Sequence, residues 1–167
     1  MKLLIVRHGK AGDRDEFAAS GQPDELRPLT KDGAREMRVV ARALHRIVPT
    51  IDTLATSPLT RARQTADVLS TEYDVPVAET DALQPESPFQ AFEDWAGRGA
   101  SGDVAVVVGH EPHLSGLVAW LIGASGDAQL ALKKGGACLL EFEASPKHGA
   151  GTLRWLMPPG VIRRLRG

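Results

Sequence analysis

A single cysteine, Cys138, stands in a chain of 167 residues. That excludes an intramolecular disulfide and any metal site built from several cysteines, and it permits a reducing compartment. An excess of one charge is also missing. Lysine and arginine number 20 against 21 acids, a formal net charge of −1. A strong basic excess is the usual footprint of nucleic-acid binding, so the balance argues against nucleic acid as the main partner. Long apolar runs are absent too. Met1 to Val6 is apolar apart from Lys2 but stops at Arg7-His8, short of what a signal peptide needs. No stretch approaches the roughly 20 apolar residues that span a bilayer. We expect a cytoplasmic chain with no membrane partner. There is no internal repeat, low-complexity tract or linker, so one domain is expected over residues 1–167.

What is present fits a folded globular chain. Hydrophobic residues make up 43% and charged residues 25%, which rules out disorder as the dominant state. A domain of this length buries roughly 70% of its unfolded surface and needs no staples.

Two kinds of periodicity alternate along the chain. Leu3 to Val6 is a continuous apolar run, as expected for a strand buried on both faces. Lys10 to Leu29 has no sustained period and reads as a long surface loop, a class that is usually functional or mobile. Thr30 is an N-cap candidate. After it Met37, Val40, Ala41, Leu44, Ile47 and Val48 share one helical face, and the helix should end near Pro49. Ile51 to Ala55 reads as a second strand. Ser57-Pro58 reads as an N-cap followed by Pro at the first helical position, with Leu59, Ala62, Ala66 and Leu69 facing inward. Val75 to Val77 is a short extended piece, and Phe89, Phe92 and Trp95 mark a short helix. Gly97 to Gly102 is a break. Val104 to Val108 is a buried strand, followed by a helix from Leu114 to Ile122. Ala137 to Phe142 and Thr152 to Met157 read as paired strands. Strands alternating with helices imply a three-layer α/β/α domain with a mainly parallel sheet.

In such sheets ligands bind beyond the carboxyl ends of the strands. Three apolar runs are followed there by basic residues: Arg7-His8-Gly9, the segment Ser57 to Ala66 containing Arg61 and Arg63, and Gly109-His110-Glu111-Pro112. Two histidines and at least two arginines would gather at one sheet edge. Positive charge concentrated there calls for an anion, and the planar guanidinium matches phosphate oxygens.

These three blocks, in this order, resemble the histidine phosphatase superfamily, the phosphoglycerate mutase-like proteins. The short length, Arg27-Pro28-Leu29-Thr30 and Gly33 resemble its SixA-like phosphohistidine phosphatases. The resemblance implies that His8 attacks phosphorus and that the phosphohistidine so formed is hydrolysed by water. It implies that Arg7, Arg61 and His110 hold the phosphoryl oxygens, without a metal or other cofactor. The attacking nitrogen must be unprotonated, so the other ring nitrogen should donate to a nearby carbonyl. Many relatives add a carboxylic acid after the second helix. Glu86 is the best candidate here, although its spacing from Leu83 departs from the common mutase pattern, and Glu111 is the alternative. The expected substrate is a phosphohistidine-bearing protein. A small phosphoester substrate, a mutase reaction, or a non-catalytic phosphate-binding module remain as alternatives.

Other residues have plainer readings. Arg63 is expected at the surface, His113 at the rim of the site, His45 and His148 in solvent, and Cys138 in the core. The basic run Arg163-Arg164-Leu165-Arg166 reads as a solvated end.

Overall fold

The computed structural model describes residues 1–100, 102–124 and 129–165. Ser101, within the expected glycine-rich break, and Arg166, in the basic run, lie outside them. In chain order the elements are β1 (Lys2–Arg7), α1 (Arg14–Ala18), α2 (Lys31–Ile47), β2 (Thr53–Thr56), α3 (Thr60–Tyr73), β3 (Val77–Glu79), α4 (Phe89–Gly99), β4 (Val104–Gly109), α5 (His113–Leu121), β5 (Ala137–Glu141), β6 (Thr152–Met157) and α6 (Pro159–Ile162). Short 3-10 turns cover Asp24–Leu26 and Asp81–Leu83.

The six strands form one sheet in the order β3-β2-β4-β1-β5-β6. β1, β2, β3 and β4 pair in parallel, whereas β5 runs antiparallel to β1 and β6 antiparallel to β5. This is the mainly parallel sheet expected, with an antiparallel edge. The central position of β1 follows from its side chains: Leu3, Leu4, Ile5 and Val6 are all 0% exposed. Successive side chains of a strand point to opposite faces. Leu4 and Val6 therefore join Val106, Val108 and Leu139 beneath α2, α3 and α6. Leu3 and Ile5 join Val107, Cys138 and Leu140 beneath α4 and α5. Two apolar cores separated by one sheet make the three layers expected of an α/β/α domain. Among the described residues no helix is long and apolar enough to cross a membrane.

Helix α2 forms as its pattern requires. Thr30 caps it by accepting from the Gly33 amide at 2.9 Å, and Met37, Val40, Ala41 and Leu44 are buried. Ile47, expected on that face, is instead 38% exposed because it is the last helical residue. At α2's first turn a glycine is required. A Cβ on Gly33 would lie 2.1 Å from the Lys10 carbonyl oxygen, so only glycine lets the helix approach the segment after β1 this closely.

Other expectations shift as well. The Lys10 to Leu29 excursion contains α1 and the 3-10 turn at Asp24–Leu26. β2 begins at Thr53, because Asp52 turns its carboxylate back to accept the Asp103 and Val104 amides at 2.8 and 2.9 Å. α4 continues to Gly99, through the first part of the expected break. Ser57 does not cap α3, whose N-cap is Leu59 with no side-chain capping bond.

Candidate active site

The carboxyl ends of β1, β2 and β4 open into a cleft of about 660 Å³. Its lining includes Arg7, His8, Arg61 and His110, the four residues singled out by the sequence, together with Glu86 and Glu111. Arg14, Arg27, Lys134 and Asp13 complete its charged wall.

His8 sits immediately after β1 and is 5% exposed. Its backbone is fixed on both sides: its amide donates to Gly109 at 3.1 Å, and its carbonyl accepts from Gly135 at 3.0 Å. In the ring, Nδ1 lies 2.7 Å from the Gly9 carbonyl oxygen. A carbonyl only accepts, so Nδ1 carries the proton and Nε2 keeps its lone pair. Burial pushes the imidazole down to about 4, and the nearby charges of Arg61, Arg7 and Lys134 act in the same direction, against the Gly9 bond. His8 is therefore neutral at pH 7. Gly9 is tied to α3, its amide donating to Thr65 Oγ1 at 3.1 Å, while the Thr65 hydroxyl donates to the Arg61 carbonyl at 2.8 Å. This threonine couples the loop after His8 to the turn that carries Arg61.

The two arginines are held differently. Arg7 Nη1 donates to the Leu132 carbonyl at 2.7 Å. Arg61, 5% exposed, grips Asp24 twice: Nη1 donates to its carbonyl at 2.8 Å, and Nη2 lies 3.1 Å from Oδ2. Asp24 also accepts from Arg27 Nε at 2.7 Å. That bond to Arg27 leads the effects that hold the Asp24 carboxyl below the usual carboxylate range. The Nε atoms of both Arg7 and Arg61 are buried without a partner. Burial lowers both guanidinium values, offset by Glu111 at Arg7 and by Asp24 at Arg61.

His110 follows β4 and is 2% exposed, its ring centroid 5.0 Å from that of His8. Its Nε2 lies 2.9 Å from Ser57 Oγ, and its Nδ1 is buried with no partner. Burial, followed by the neighbouring His8, pushes it down to about 3. At pH 7 it is neutral rather than a cation.

The two candidate acids differ. Glu86 is exposed on the cleft rim, without a hydrogen bond or ion pair among the described residues. Glu111 accepts from the Ser115 hydroxyl at 2.6 Å through Oε2, and its Oε1 is buried without a partner. His113 does not reach the cleft: it is 4% exposed and bonds the Ser87 carbonyl at 3.0 Å. His45 pairs with Glu72 at 3.2 Å instead of standing free in solvent. Arg63 pairs with Asp67 and Glu79 on the surface, as expected. Among the described residues no group of three or more His, Cys, Asp or Glu side chains is placed to hold a metal ion.

Sequence reasoning missed Asp24, Thr65 and Ser57. Ser57 and Thr65 lay inside a segment read for its arginines, and Asp24 lay in an excursion without periodicity. The arrangement as a whole offers an unprotonated ring nitrogen beside one buried guanidinium group, one half-buried guanidinium group and a neutral imidazole.

Residues 3–94 match the family model of the histidine phosphatase superfamily (branch 1). The chain belongs to the histidine phosphatase superfamily. An uncharacterized protein of Picosynechococcus sp. is 34% identical over 169 residues, covering 95% of this chain and 100% of that protein. The solved structure of the protein histidine phosphatase SixA complexed with tungstate is similar with a TM-score of 0.79 and 25% identity, over 97% of this chain and 99% of that one. The mycobacterial glucosyl-3-phosphoglycerate phosphatase with inorganic phosphate shares the fold, with a TM-score of 0.70 and 15% identity over 95% and 98% of the two chains. This chain is accordingly a phosphatase of SixA-like fold.

Proposed function

We propose that this phosphatase is a single cytoplasmic catalytic domain spanning residues 1–167. In this reading it works without a metal, through a phosphohistidine on His8, and takes protein phosphohistidine as substrate. The observation that carries the reading is the His8 ring. Nδ1 is committed to the Gly9 carbonyl at 2.7 Å, which leaves an unprotonated Nε2 in a cleft lined by Arg7 and Arg61. Binding alone would not require a nucleophile poised in this way.

In the first step the Nε2 lone pair forms a bond to phosphorus as the bond to the leaving group breaks. Arg7, Arg61 and a neutral His110 donating a hydrogen bond hold the phosphoryl oxygens, and such positioning with charge stabilisation dominates phosphoryl transfer. An alkoxide leaving group takes its proton from Glu86. A phosphohistidine leaving group is a better one and leans less on that acid. Water then attacks phosphorus as one of its protons passes to the Glu86 carboxylate, the bond to Nε2 breaks, and phosphate leaves with the His8 lone pair restored.

Support for a protein substrate comes from the likeness to the protein histidine phosphatase SixA and from an exposed rim that admits a protein loop. A small phosphoester is the second reading, supported by the shared fold of the glucosyl-3-phosphoglycerate phosphatase. The test offers a phosphohistidine peptide, a sugar phosphate and an aryl phosphate, with His8→Ala as control. Preference for the peptide, lost in His8→Ala and indifferent to a chelator, is expected. Activity that survives His8→Ala would remove the nucleophile assignment, and inhibition by the chelator would remove the metal-independent one.

A further inference from the structure

We infer that Ser57 sets the ring tautomer of His110, so that this histidine presents Nδ1–H to the transferred phosphoryl group. The inference rests on the phosphoryl-transfer reading above and adds a positioning residue to it. Ser57 follows β2 directly and is 0% exposed. Its hydroxyl oxygen lies 2.9 Å from His110 Nε2 and 3.4 Å from the Leu59 amide nitrogen. A hydroxyl has one proton to donate and two lone pairs to accept with. The Leu59 N–H occupies one lone pair. Among the described residues, the only acceptor within reach of the hydroxyl proton is His110 Nε2.

The two possible tautomers have different consequences. If Nε2 carried the ring proton and donated to Ser57, the serine proton would be left without an acceptor in a fully buried position. Leaving a buried donor unsatisfied is expensive. The other nitrogen, Nδ1, would then turn a lone pair toward the phosphoryl oxygens, which repel it. If Ser57 donates to Nε2, the hydroxyl proton and the Nε2 lone pair satisfy each other, and only Nδ1–H is left without a partner in the protein. Nδ1 is then the one ring nitrogen of His110 without a partner in the protein, on a ring that lines the cleft with its centroid 5.0 Å from that of His8. The pair thus works in opposite senses. The Gly9 carbonyl makes His8 bare at Nε2, and the Ser57 hydroxyl makes His110 protonated at Nδ1.

The test is nitrogen NMR on protein labelled at the histidine rings, with the His110 signals identified by their loss in His110→Gln. The expected pattern in the unsubstituted protein is a pyrrole-like Nδ1 and a pyridine-like Nε2. Ser57→Ala should shift His110 toward the opposite tautomer and slow single-turnover transfer from an aryl phosphate by about tenfold, the scale of one hydrogen bond to a charged group. Ser57→Thr, which keeps the hydroxyl, should restore both. A merely structural serine would not move the ring signals. A protonated Nε2 in the unsubstituted protein overturns the inference whether or not Ser57→Ala folds, and so does an unchanged tautomer in a folded Ser57→Ala. The ring spectrum needs no turnover, so failure of the phosphatase reading would show separately, as inactivity with an intact Nδ1–H pattern.

Discussion

Acidifying the protein from pH 7 to pH 5 asks whether the cleft keeps its nucleophile neutral. A histidine at the ordinary value of 6.5 would be only about 3% neutral at pH 5, whereas His8, held at about 4, would stay about 90% neutral. The two cases differ by about thirtyfold in the reactive form. The cause is legible in the structure: the ring is 5% exposed and shares its cleft with Arg7, Arg61 and Lys134. The assay is an NMR titration of the His8 ring, assigned by its loss in His8→Gln, with the single-turnover rate of phosphoryl transfer measured across the same range. The same shift appears in stability. The folded value lies below the unfolded one, so the unfolded chain binds the extra proton first. Stability is therefore full above pH 6.5 and falls as pH drops toward 4, by about 3 kcal/mol for His8. His110, shifted the same way to about 3, deepens the loss. A His8 midpoint near 6.5, or stability flat between pH 6.5 and 4, would refute the reasoning.

Other expectations follow from single contacts. Gly33→Ala places a Cβ 2.1 Å from the Lys10 carbonyl oxygen, a backbone atom; denaturant unfolding should show a loss of about 1–3 kcal/mol, and activity should fall because the loop after His8 must move. Asp24→Ala strips Arg61 and Arg27 of their shared carboxylate. Its melting temperature should drop, and tungstate should raise it by more than in the unsubstituted protein, since an added anion then meets unpaired guanidinium groups; equal increments would contradict this. Glu86→Gln should slow hydrolysis of an alkyl phosphate by about 10²-fold, in the range of a lost general acid, while a phosphohistidine peptide changes little. If Glu111→Gln shows that pattern instead, the acid is Glu111.

The sequence makes the strand ends legible and the contacts between them much less so. Leu3 to Val6 and Val104 to Val108 carry continuous apolar runs, so β1 and β4 could be placed, and with them Arg7, His8 and His110. Arg61 followed because its segment opens a helix after a third strand. Ser57 was misread because Ser-Pro before a helical pattern has the form of a cap, and local form cannot show that His110, 53 residues away, lies 2.9 Å from its hydroxyl. Asp24 lies in an excursion whose α1 has no buried residue, so no hydrophobic period marks it. Its ion pairs with Arg61 and Arg27 exist only in the folded chain. β2 started later than its apolar pattern suggested because Asp52 serves the neighbouring strand's amides. Ser57, Asp24 and the start of β2 were fixed by long-range polar contacts, whereas β1 and β4 were fixed by burial.

Trapping of the covalent intermediate tests the central claim most directly. The protein is mixed with labelled phosphoryl donor, quenched in alkali, which preserves phosphohistidine, and the labelled peptide is identified. Label is expected on His8, absent from His8→Ala and retained at reduced yield in His110→Gln. Label on another residue, or turnover with no trapped intermediate and full activity in His8→Ala, would contradict it.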